Sequence, residues 1–311
     1  MRISVIVNNF NYQQYVIDAV NSVLNQSTQV DEIVVVDDGS TDQSSSKILQ
    51  KFSDNDRVKI ILKEKNEGQL SCLNEGARIS TGDIIFFLDS DDLYAERYIA
   101  EAVAFYRENT DCDFLFCGYT SIGDVESQYF PYPFTRNLGY SIVSTLYQQR
   151  WIGSVTSTIS MRKAILDKVL PIPFLDDWRT RADDCLIWGA SLAGAKKFYM
   201  SEALVKYRIH NQNNFYHQKF NESYLFIREV NIRRLLSFLS LKMNYGNQLF
   251  NLAALEFSTI EAPFVEELWC YVKIILLANA NLYTKFRILT LLLKHFLTTR
   301  IKIRQLKRIA K

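Results

Sequence analysis

The feature that most constrains this fold is an alternation of apolar runs with amphipathic segments along the first third of the chain. Four mainly apolar runs are rich in β-branched and aromatic residues: ISVIV, EIVVVD, RVKIIL and DIIFFLD. The segment after the first run places Val16, Val20, Val23 and Leu24 at helical spacing. Strands that alternate with helices in this way predict an α/β fold with a mainly parallel, Rossmann-like sheet covered on both faces.

Each of the four predicted strands ends in polar residues. They are Asn8 and Asn9, Asp37 and Asp38, Asn66, and the acidic cluster Asp89, Asp91 and Asp92. Ligands of parallel sheets bind beyond the carboxyl ends of the strands, so these residues are candidates for a binding site. The acidic cluster follows a buried run directly, and crowded carboxylates resist burial unless positive charge compensates them. We therefore expect a cation there.

Composition excludes several classes of protein. The chain has 311 residues, 48% of them hydrophobic, and a formal net charge of +2, which argues against a protein that binds nucleic acid through bulk charge. The five cysteines form no CxxC pair, so neither a disulfide framework nor a zinc site is indicated, and a reducing cytoplasm is expected. We predict no secretory signal, because the N-terminal apolar run is short, and no membrane-spanning segment.

Six motifs in order give the chain a family resemblance: ISVIVNNFNYQQYVIDAVNSVLNQS, VVVDDGSTD, NEGQLSCLNEGA, TGDIIFFLDSDD, RADDCLIW and YRIHNQN. Together they resemble the inverting nucleotide-sugar glycosyltransferases with the A-type (GT-A) fold. The resemblance implies a catalytic domain over residues 1–215, followed by a helical region over residues 216–311. It also implies a UDP-sugar donor, a Mn²⁺ or Mg²⁺ cofactor, and single-displacement transfer to a hydroxyl group of a glycan or glycolipid.

The resemblance assigns the donor side of the site. It implies that Asp91 is the metal ligand, while Asp89 contacts the ribose or the water shell of the metal. Asp38 is expected to accept a hydrogen bond from uracil N3–H, which suits an acceptor-only group. Asn8 is expected near the base or ribose. Asp92 either belongs to this site or serves as the N-cap of the next predicted helix.

Two further segments are assigned to the donor side. Asn66 and Gly68 either contact the donor or form an ordinary loop. Arg208 and His210 alternate on a predicted extended segment, so their side chains are expected on one face, where they would contact the diphosphate and the metal. His210 is alternatively a structural hydrogen-bonding residue.

The resemblance places catalysis at RADDCLIW. Its general base carries over to Asp184, and Asp183 stands where the family usually has Glu, so Asp183 is expected to hold the acceptor. A structural alternative is that both carboxylates stabilise the start of a helix, because the helix dipole favours negative charge there. Trp188 is either a core residue or a platform for the acceptor, and Trp151 and Ser154 are predicted sugar contacts.

The C-terminal segment has a distinct charge pattern. Glu267 is the last acidic residue of the chain. The basic residues near the end recur at helical spacing beside apolar ones: Arg300, Arg304, Lys307, Arg308 and Lys311 against Leu297, Ile301 and Ile309. This helix either lies on an anionic membrane, at the inner face of the plasma membrane, or packs on the catalytic domain. The first alternative would suit a lipid-linked acceptor of cell-surface polysaccharide synthesis.

Other functions fit the sequence less well. A nucleotidyltransferase usually has a glycine-rich, basic loop near its N-terminus, and residues 8–15 lack one. A dinucleotide-binding enzyme would have GxGxxG after the first strand. A non-catalytic sugar- or lipid-binding subunit would not need the intact acidic motifs.

Overall fold

The computed structural model describes residues 1–211, 220–246 and 248–309, and residues 303–309 by their backbone alone. Within these ranges the strands are β1 Ile3–Asn9, β2 Glu32–Asp37, β3 Val58–Leu62, β4 Ile84–Asp89, β5 Leu93–Tyr94, β6 Phe114–Gly123, β7 Ser127–Tyr129, β8 Arg136–Gly139, β9 Ile159–Arg162 and β10 Lys197–Ile209. The helices are α1 Val16–Leu24, α2 Ser44–Phe52, α3 Gln69–Ile79, α4 Tyr98–Glu108, α5 Ile142–Gln148, α6 Lys163–Val169, α7 Asp183–Leu192, α8 Glu222–Lys242, α9 Ala253–Ser258, α10 Val265–Leu277 and α11 Leu282–Ile309.

The strands form one mixed sheet, in the order β3-β2-β1-β4-β9-β6-β10-β5. β1, β2, β3 and β4 run parallel, as predicted from the alternation of strands and helices. β9 lies antiparallel between β4 and β6, and β10 runs parallel to β6. The α/β prediction is therefore confirmed, and the carboxyl ends of β1, β2 and β4 meet at one edge of the sheet.

Helices cover both faces of this sheet. Alternate residues of β1 point to opposite sides, so Val5 and Val7 pack into the core that includes α1, α2 and α4, while Ile6 packs into the core that includes α3, α6 and α7. At Gly76 of α3, a Cβ atom would lie 2.5 Å from Ile6 Cγ2. Helix α3 therefore packs directly on β1. This packing places the start of α3 beside the sheet edge.

Helix α8 packs on the helices that cover the sheet. Its residues Ile232, Leu235 and Leu239 are buried in the same core as α7. The predicted boundary at residue 215 assigned this helix to the C-terminal region, but its buried contacts join it to the domain that carries the site.

Helices α9, α10 and α11 share a separate core, which includes Phe257, Tyr271 and Ile288. The buried Glu256 ties them to α5, because its carboxylate accepts hydrogen bonds from the backbone N–H groups of Val143 (2.7 Å) and Ser144 (2.9 Å). The described residues include no helix with both the length and the apolar character needed to cross a bilayer.

The predicted basic helix at the C-terminus is present as the end of α11. The side chains of Arg304, Lys307 and Arg308 are not described, and Lys311 lies outside the described residues.

Candidate active site

A cavity of about 580 Å³ opens at the carboxyl ends of β1, β2 and β4, within the range of roughly 300–1,000 Å³ typical of small-molecule sites. Four carboxylates line it: Asp38, Asp89, Asp91 and Asp183. Asn8, Asn66 and Gly68 lie in its wall as well. The structure thus brings most of the residues predicted for the donor side into one cavity.

Asp38 organises the loop that follows β3. Its Oδ1 accepts hydrogen bonds from Lys63 Nζ (2.6 Å) and from the Glu67 backbone N–H (3.1 Å). Its Oδ2 accepts one from the backbone N–H of Gly68 at 2.7 Å. Gly68 has a φ of +93°, a conformation that glycine adopts without strain. The Asp38 carboxylate therefore holds the loop in the cavity wall, and Oδ2 keeps capacity for a further donor.

Gln69 links the donor side to the segment before α7. Its Nε2 donates to Asp89 Oδ1 at 2.8 Å, and its Oε1 accepts a hydrogen bond from the backbone N–H of Ala182 at 2.9 Å. The adjacent loops are joined again where Asn66 O accepts from Arg179 Nη2 at 3.2 Å. Gln69 was not predicted from the sequence, although its place at the start of a helix after the Asn66–Gly68 loop could have indicated it.

The acidic cluster at the end of β4 is crowded and largely buried. Burial, followed by the charge of Asp91, raises the pKa of Asp89 to about 6. Asp92 accepts hydrogen bonds from Ser157 Oγ (2.6 Å) and from the Arg208 backbone N–H (2.8 Å). The expectation that Asp92 caps a helix is wrong, because α4 begins at Tyr98 and the Asp92 carboxylate points instead to neighbouring elements of the sheet.

Arg208 and His210 both approach this cluster from the end of β10. His210 Nε2 lies 3.2 Å from Asp91 Oδ2, and the imidazole packs beside the rings of Tyr12 and Tyr15. Arg208 Nε donates to the Asp91 carbonyl at 2.8 Å, and its guanidinium lies 4.6 Å from the Tyr15 ring centroid. The Arg208 side chain therefore supports the acidic loop through the Asp91 carbonyl, and its predicted diphosphate contact stays a prediction.

The residues at the acidic cluster fit a divalent cation shared with a phosphate-bearing ligand. Within the described ranges, no three His, Cys, Asp or Glu side chains are grouped to hold a metal by themselves. Mg²⁺ is usually bound by only one or two carboxylates together with substrate phosphates. Neighbouring ligands of an octahedral ion at roughly 2.1 Å are about 3 Å apart, close to the 3.2 Å between Asp91 Oδ2 and His210 Nε2.

The two carboxylates at the start of α7 have different surroundings. Asp184 is fully buried: Oδ1 accepts from Trp151 Nε1 at 2.8 Å, while Oδ2 lies 3.2 Å from Arg181 Nε and 2.7 Å from Arg228 Nη2. Asp183 lines the cavity. Burial, followed by the charge of Asp184, raises the pKa of Asp183 to about 7, and Arg181 opposes this shift.

The predicted acceptor residues separate into two groups. Trp151 lines the cavity and is 38% exposed. Trp188 is 3% exposed and packs edge-on against Trp178. Of the two alternatives for Trp188, the core residue is therefore right and the acceptor platform is wrong. Ser154 is buried and is not part of the wall of the cavity as the described residues form it, so its predicted sugar contact is not supported.

Helix α8 contributes two residues that were not predicted from the sequence. Tyr224 lines the cavity, and Arg228 pairs with Asp184. They are four residues apart, so they lie on the same face of the helix. That spacing alone could not show which element the face contacts.

Comparison with known proteins gives three findings. Residues 4–170 match the family model described as Glycosyl transferase family 2. An uncharacterized glycosyltransferase of Nostoc sp. is 34% identical over 219 residues, which span 69% of this chain and 66% of the relative. The putative teichuronic acid biosynthesis glycosyltransferase TuaG of Bacillus subtilis is 27% identical over 214 residues, 68% of this chain and 80% of TuaG.

A solved structure shares the architecture. The crystal structure of S. aureus TarS 1-349 in complex with UDP-GlcNAc aligns with a TM-score of 0.59 over 98% of this chain and 92% of that chain, at 20% identity. At this level of identity the likeness concerns the fold.

Proposed function

The chain belongs to glycosyl transferase family 2, and from this premise we propose that it transfers a sugar from a UDP-sugar to a hydroxyl group of a glycan or glycolipid, with inversion. The observation that carries this proposal is the convergence of Asp38, Asp91 and Asp183 on one cavity. Two of them follow parallel strands, and the third begins helix α7. The cavity therefore offers a place for a nucleoside diphosphate and, facing it, a carboxylate for the acceptor.

Asp38 supports uridine as the nucleoside. Its Oδ2 has the backbone N–H of Gly68 as a donor and keeps a lone pair for a second one. The N3–H of uracil is such a donor, whereas the corresponding nitrogen of cytosine carries no hydrogen. The S. aureus TarS structure holds UDP-GlcNAc, which is a precedent for this donor class on the same fold.

Asp91 and His210 would hold Mn²⁺ or Mg²⁺ together with the diphosphate, and the ion would neutralise charge on the leaving group. Asp89 is kept in place by Gln69, so it can orient the ribose or a water molecule of the ion. Arg208 fixes the backbone of the acidic loop through the Asp91 carbonyl.

The acceptor side provides a ring and a carboxylate. Trp151 exposes its indole at the cavity wall, where an acceptor sugar could stack, while its Nε1–H is held by Asp184. In a single displacement, the acceptor oxygen attacks the anomeric carbon from the face opposite UDP. Its proton must pass to a base on that face, which is the side on which α7 begins.

The two alternative functions lose their support. Membership of a glycosyltransferase family disfavours a nucleotidyltransferase. A non-catalytic subunit would not require both the strand-end carboxylates and the α7 carboxylate Asp183 to line a single cavity.

A screen of donors tests this function. Purified protein is incubated with UDP-, GDP- and dTDP-sugars, with Mn²⁺, with Mg²⁺ or with EDTA, and release of the nucleoside diphosphate is measured. We expect metal-dependent release of UDP from one or two UDP-sugars. Turnover of only a GDP- or dTDP-sugar would contradict the donor class, and full activity in EDTA would contradict the metal.

The acceptor proposal extends to a membrane surface. The corner between α10 and α11 exposes apolar side chains by 55–85%: Leu276, Leu277, Leu282, Tyr283 and Phe286. Three cations, Lys273, Lys285 and Arg287, occur in the same stretch, which contains no acidic residue after Glu267. Apolar side chains flanked by cations are complementary to an anionic bilayer, as at the inner face of the plasma membrane, where a lipid-linked acceptor would be available.

Liposome sedimentation tests this extension. The protein should sediment with anionic liposomes, less so as salt rises, and poorly with neutral ones. The double variant Leu277→Glu, Phe286→Glu should lose this binding, because both side chains lie at the corner. Leu241→Glu is the control, since Leu241 is 81% exposed but lies on α8. Equal sedimentation of the double variant and the control would contradict the proposed surface.

A further inference from the structure

The loop that carries Trp151 is held by helices that lie far from it in sequence. We call residues 149–151, which follow α5, the acceptor loop, because Trp151 is the proposed acceptor contact. Gln149 Nε2 donates to Glu229 Oε1 of α8 at 2.9 Å. Trp151 Nε1 donates to Asp184 Oδ1 of α7 at 2.8 Å. The first and the last residue of the loop are thus bound to carboxylates of two different helices.

A third helix holds the residue between them. Arg150 Nη2 donates to Glu267 Oε1 of α10 at 2.5 Å. Glu267 Oε2 accepts hydrogen bonds from Arg136 Nη2 at 2.9 Å and from the backbone N–H of Phe264 at 2.8 Å. Glu267 is only 6% exposed, and removing one partner of a buried ion pair is costly. The buried pair therefore ties Arg150, and with it the backbone next to Trp151, to α10.

The backbone of the acceptor loop indicates that these contacts impose its shape. Gln149 has a φ of +49°, in the left-handed region, which residues with a Cβ atom adopt uncommonly. Such a conformation persists where the surrounding contacts over-determine it. The Gln149 carbonyl also accepts a hydrogen bond from Trp188 Nε1 of α7 at 3.3 Å. Without its partners the loop would therefore relax to other conformations.

A ring on which a sugar stacks needs a fixed orientation. A functional side chain works within roughly 0.5 Å and 10–20° of its productive geometry, and a loop holds a side chain less precisely than a helix or strand does. Trp151 is 38% exposed at the cavity wall and is carried by a loop. Contacts from α7, α8 and α10 supply the rigidity that the loop lacks. All three helices lie beyond residues 4–170, which match the family model.

We propose that α8 and α10 clamp the acceptor loop, and that Glu229 and Glu267 are positioning residues that orient Trp151 for the acceptor. The proposal rests on the glycosyltransferase function proposed above and deepens its acceptor side. It gives the C-terminal helices a part in the transfer itself, because they set how an acceptor sugar meets the cavity. The donor side of the cavity does not depend on these contacts.

Arg150→Met opens the clamp at α10. The variant leaves the buried Glu267 paired with Arg136 and the Phe264 N–H, so one negative charge still faces one positive charge. Arg136→Met is the matched control. It removes the other arginine from the same carboxylate, but Arg136 lies on β8 and the contact between Glu267 and Arg150 remains.

Glu229→Ala opens the clamp at α8. The Glu229 side chain is 42% exposed, so the variant should fold even if a change in the buried ion pairs prevents folding. Arg233→Ala is its matched control. It breaks the ion pair between Arg233 and Glu229 on the surface of α8, but it leaves the hydrogen bond between Glu229 and Gln149.

Quenching of Trp151 fluorescence by acrylamide measures the orientation of the loop directly. The contribution of Trp151 is the difference between each protein and its counterpart with Trp151→Phe, which removes the signal of the other tryptophans. In Arg150→Met and Glu229→Ala the quenching should rise, because a loop without its partners exposes the indole more. Arg136→Met and Arg233→Ala should match the wild type.

Transfer to p-nitrophenyl glycosides gives the functional readout. Arg150→Met and Glu229→Ala should each raise KM for the glycoside by roughly two- to tenfold, the effect of weakening one aromatic contact. The Kd for UDP and the rate of UDP-sugar hydrolysis should stay within a few-fold of wild type, because neither side chain is part of the cavity wall as the described residues form it. A loss of stability alone would lower the melting temperature without separating KM from these donor-side values.

The proposal is overturned if Arg150→Met and Glu229→Ala match their controls in both the quenching of Trp151 and the KM for glycosides. It is also overturned if the Kd for UDP rises as much as this KM, because the loop would then act on the donor side. A wild-type protein that releases no UDP from any UDP-sugar would instead contradict the proposed function. The quenching comparison needs no turnover, so the two failures are distinguishable.

Discussion

The donor half of the cavity, formed by Asp38, Asp89 and Asp91, and the acceptor half, formed by Asp183, Asp184 and Trp151, hold their carboxylates in different ways. In the donor half the carboxylates lie at or just beyond the ends of parallel strands of the mixed sheet, so their closeness follows from the register of those strands. In the acceptor half the partners come from separate elements, since Trp151 lies on a loop before β9 and Arg228 on α8. One half depends on the sheet and the other on the docking of a distant helix.

The two halves also differ in how their charge is compensated. Asp184 has two arginines of the protein within ion-pair distance. At the acidic cluster, Arg208 donates to the Asp91 carbonyl oxygen and to the Asp92 carboxylate through its backbone N–H. Asp38 in the donor half is paired with Lys63. The difference therefore concerns the acidic cluster, which is suited to receive a cation with its ligand, whereas the acceptor half carries its own positive charge.

Asp91→Asn should abolish the function of the donor half. Loss of the charge of the proposed metal ligand should reduce UDP-sugar turnover by about 10³-fold or more, because a divalent ion contributes several kcal/mol to stabilising a phosphate leaving group. Steady-state hydrolysis at saturating Mn²⁺ measures the effect. Asp54→Asn, an exposed carboxylate far from the cavity, is the matched control and should keep the wild-type rate. Equal turnover in the two variants would contradict the proposed role of the metal.

Gly68→Ala should disturb the contact between the halves. The residue has a φ of +93°, and an added Cβ would lie 2.4 Å from Arg179 Cα. Backbone strain and the clash together should lower the free energy of unfolding by about 3 kcal/mol, as measured by denaturant titration. In Gly246→Ala the new Cβ would meet nothing within 4 Å, so that variant should stay near wild type. A similarly small loss at Gly68 would show that the two loops are not held together.

Arg228→Gln should weaken the acceptor half alone. The change leaves Asp184 with Arg181 and Trp151, so the free energy of unfolding should fall by about 2 kcal/mol, while UDP affinity stays the same. Arg233→Gln on the same helix removes an ion pair whose arginine side chain is 70% exposed, and it should cost less than about 1 kcal/mol. A drop in UDP affinity in Arg228→Gln would mean that the halves are not independent.

The parts of the site that were predictable from the sequence are those set by local pattern. The strand ends at Asn8, Asp38 and Asp89 follow from apolar runs whose length and direction fix where the polar residues emerge. The start of a helix at Asp183 was also predictable from local sequence, because two adjacent carboxylates are favoured in the first turn of a helix. In each case the position depends on residues close in sequence.

The parts that were missed depend on long-range packing. Nothing near Arg228 or Gln69 in the sequence indicates their partners, which lie 44 and 20 residues away. The burial of Trp188 did have a signal, because α7 is apolar on nearly all sides after its first turn, a pattern that indicates a helix buried all round. Which of two adjacent carboxylates faces the cavity cannot be read from an Asp-Asp pair.

The central claim is that the donor half binds UDP and the acceptor half performs the proton transfer. Calorimetric titration of UDP in the presence of Mn²⁺ into Asp91→Asn and Asp183→Asn tests it most directly. We predict that Asp91→Asn loses metal-dependent binding of UDP, while Asp183→Asn binds it with a Kd within a few-fold of wild type. Loss of UDP binding in Asp183→Asn, or unchanged metal-dependent binding in Asp91→Asn, would contradict the division of the cavity into these two halves.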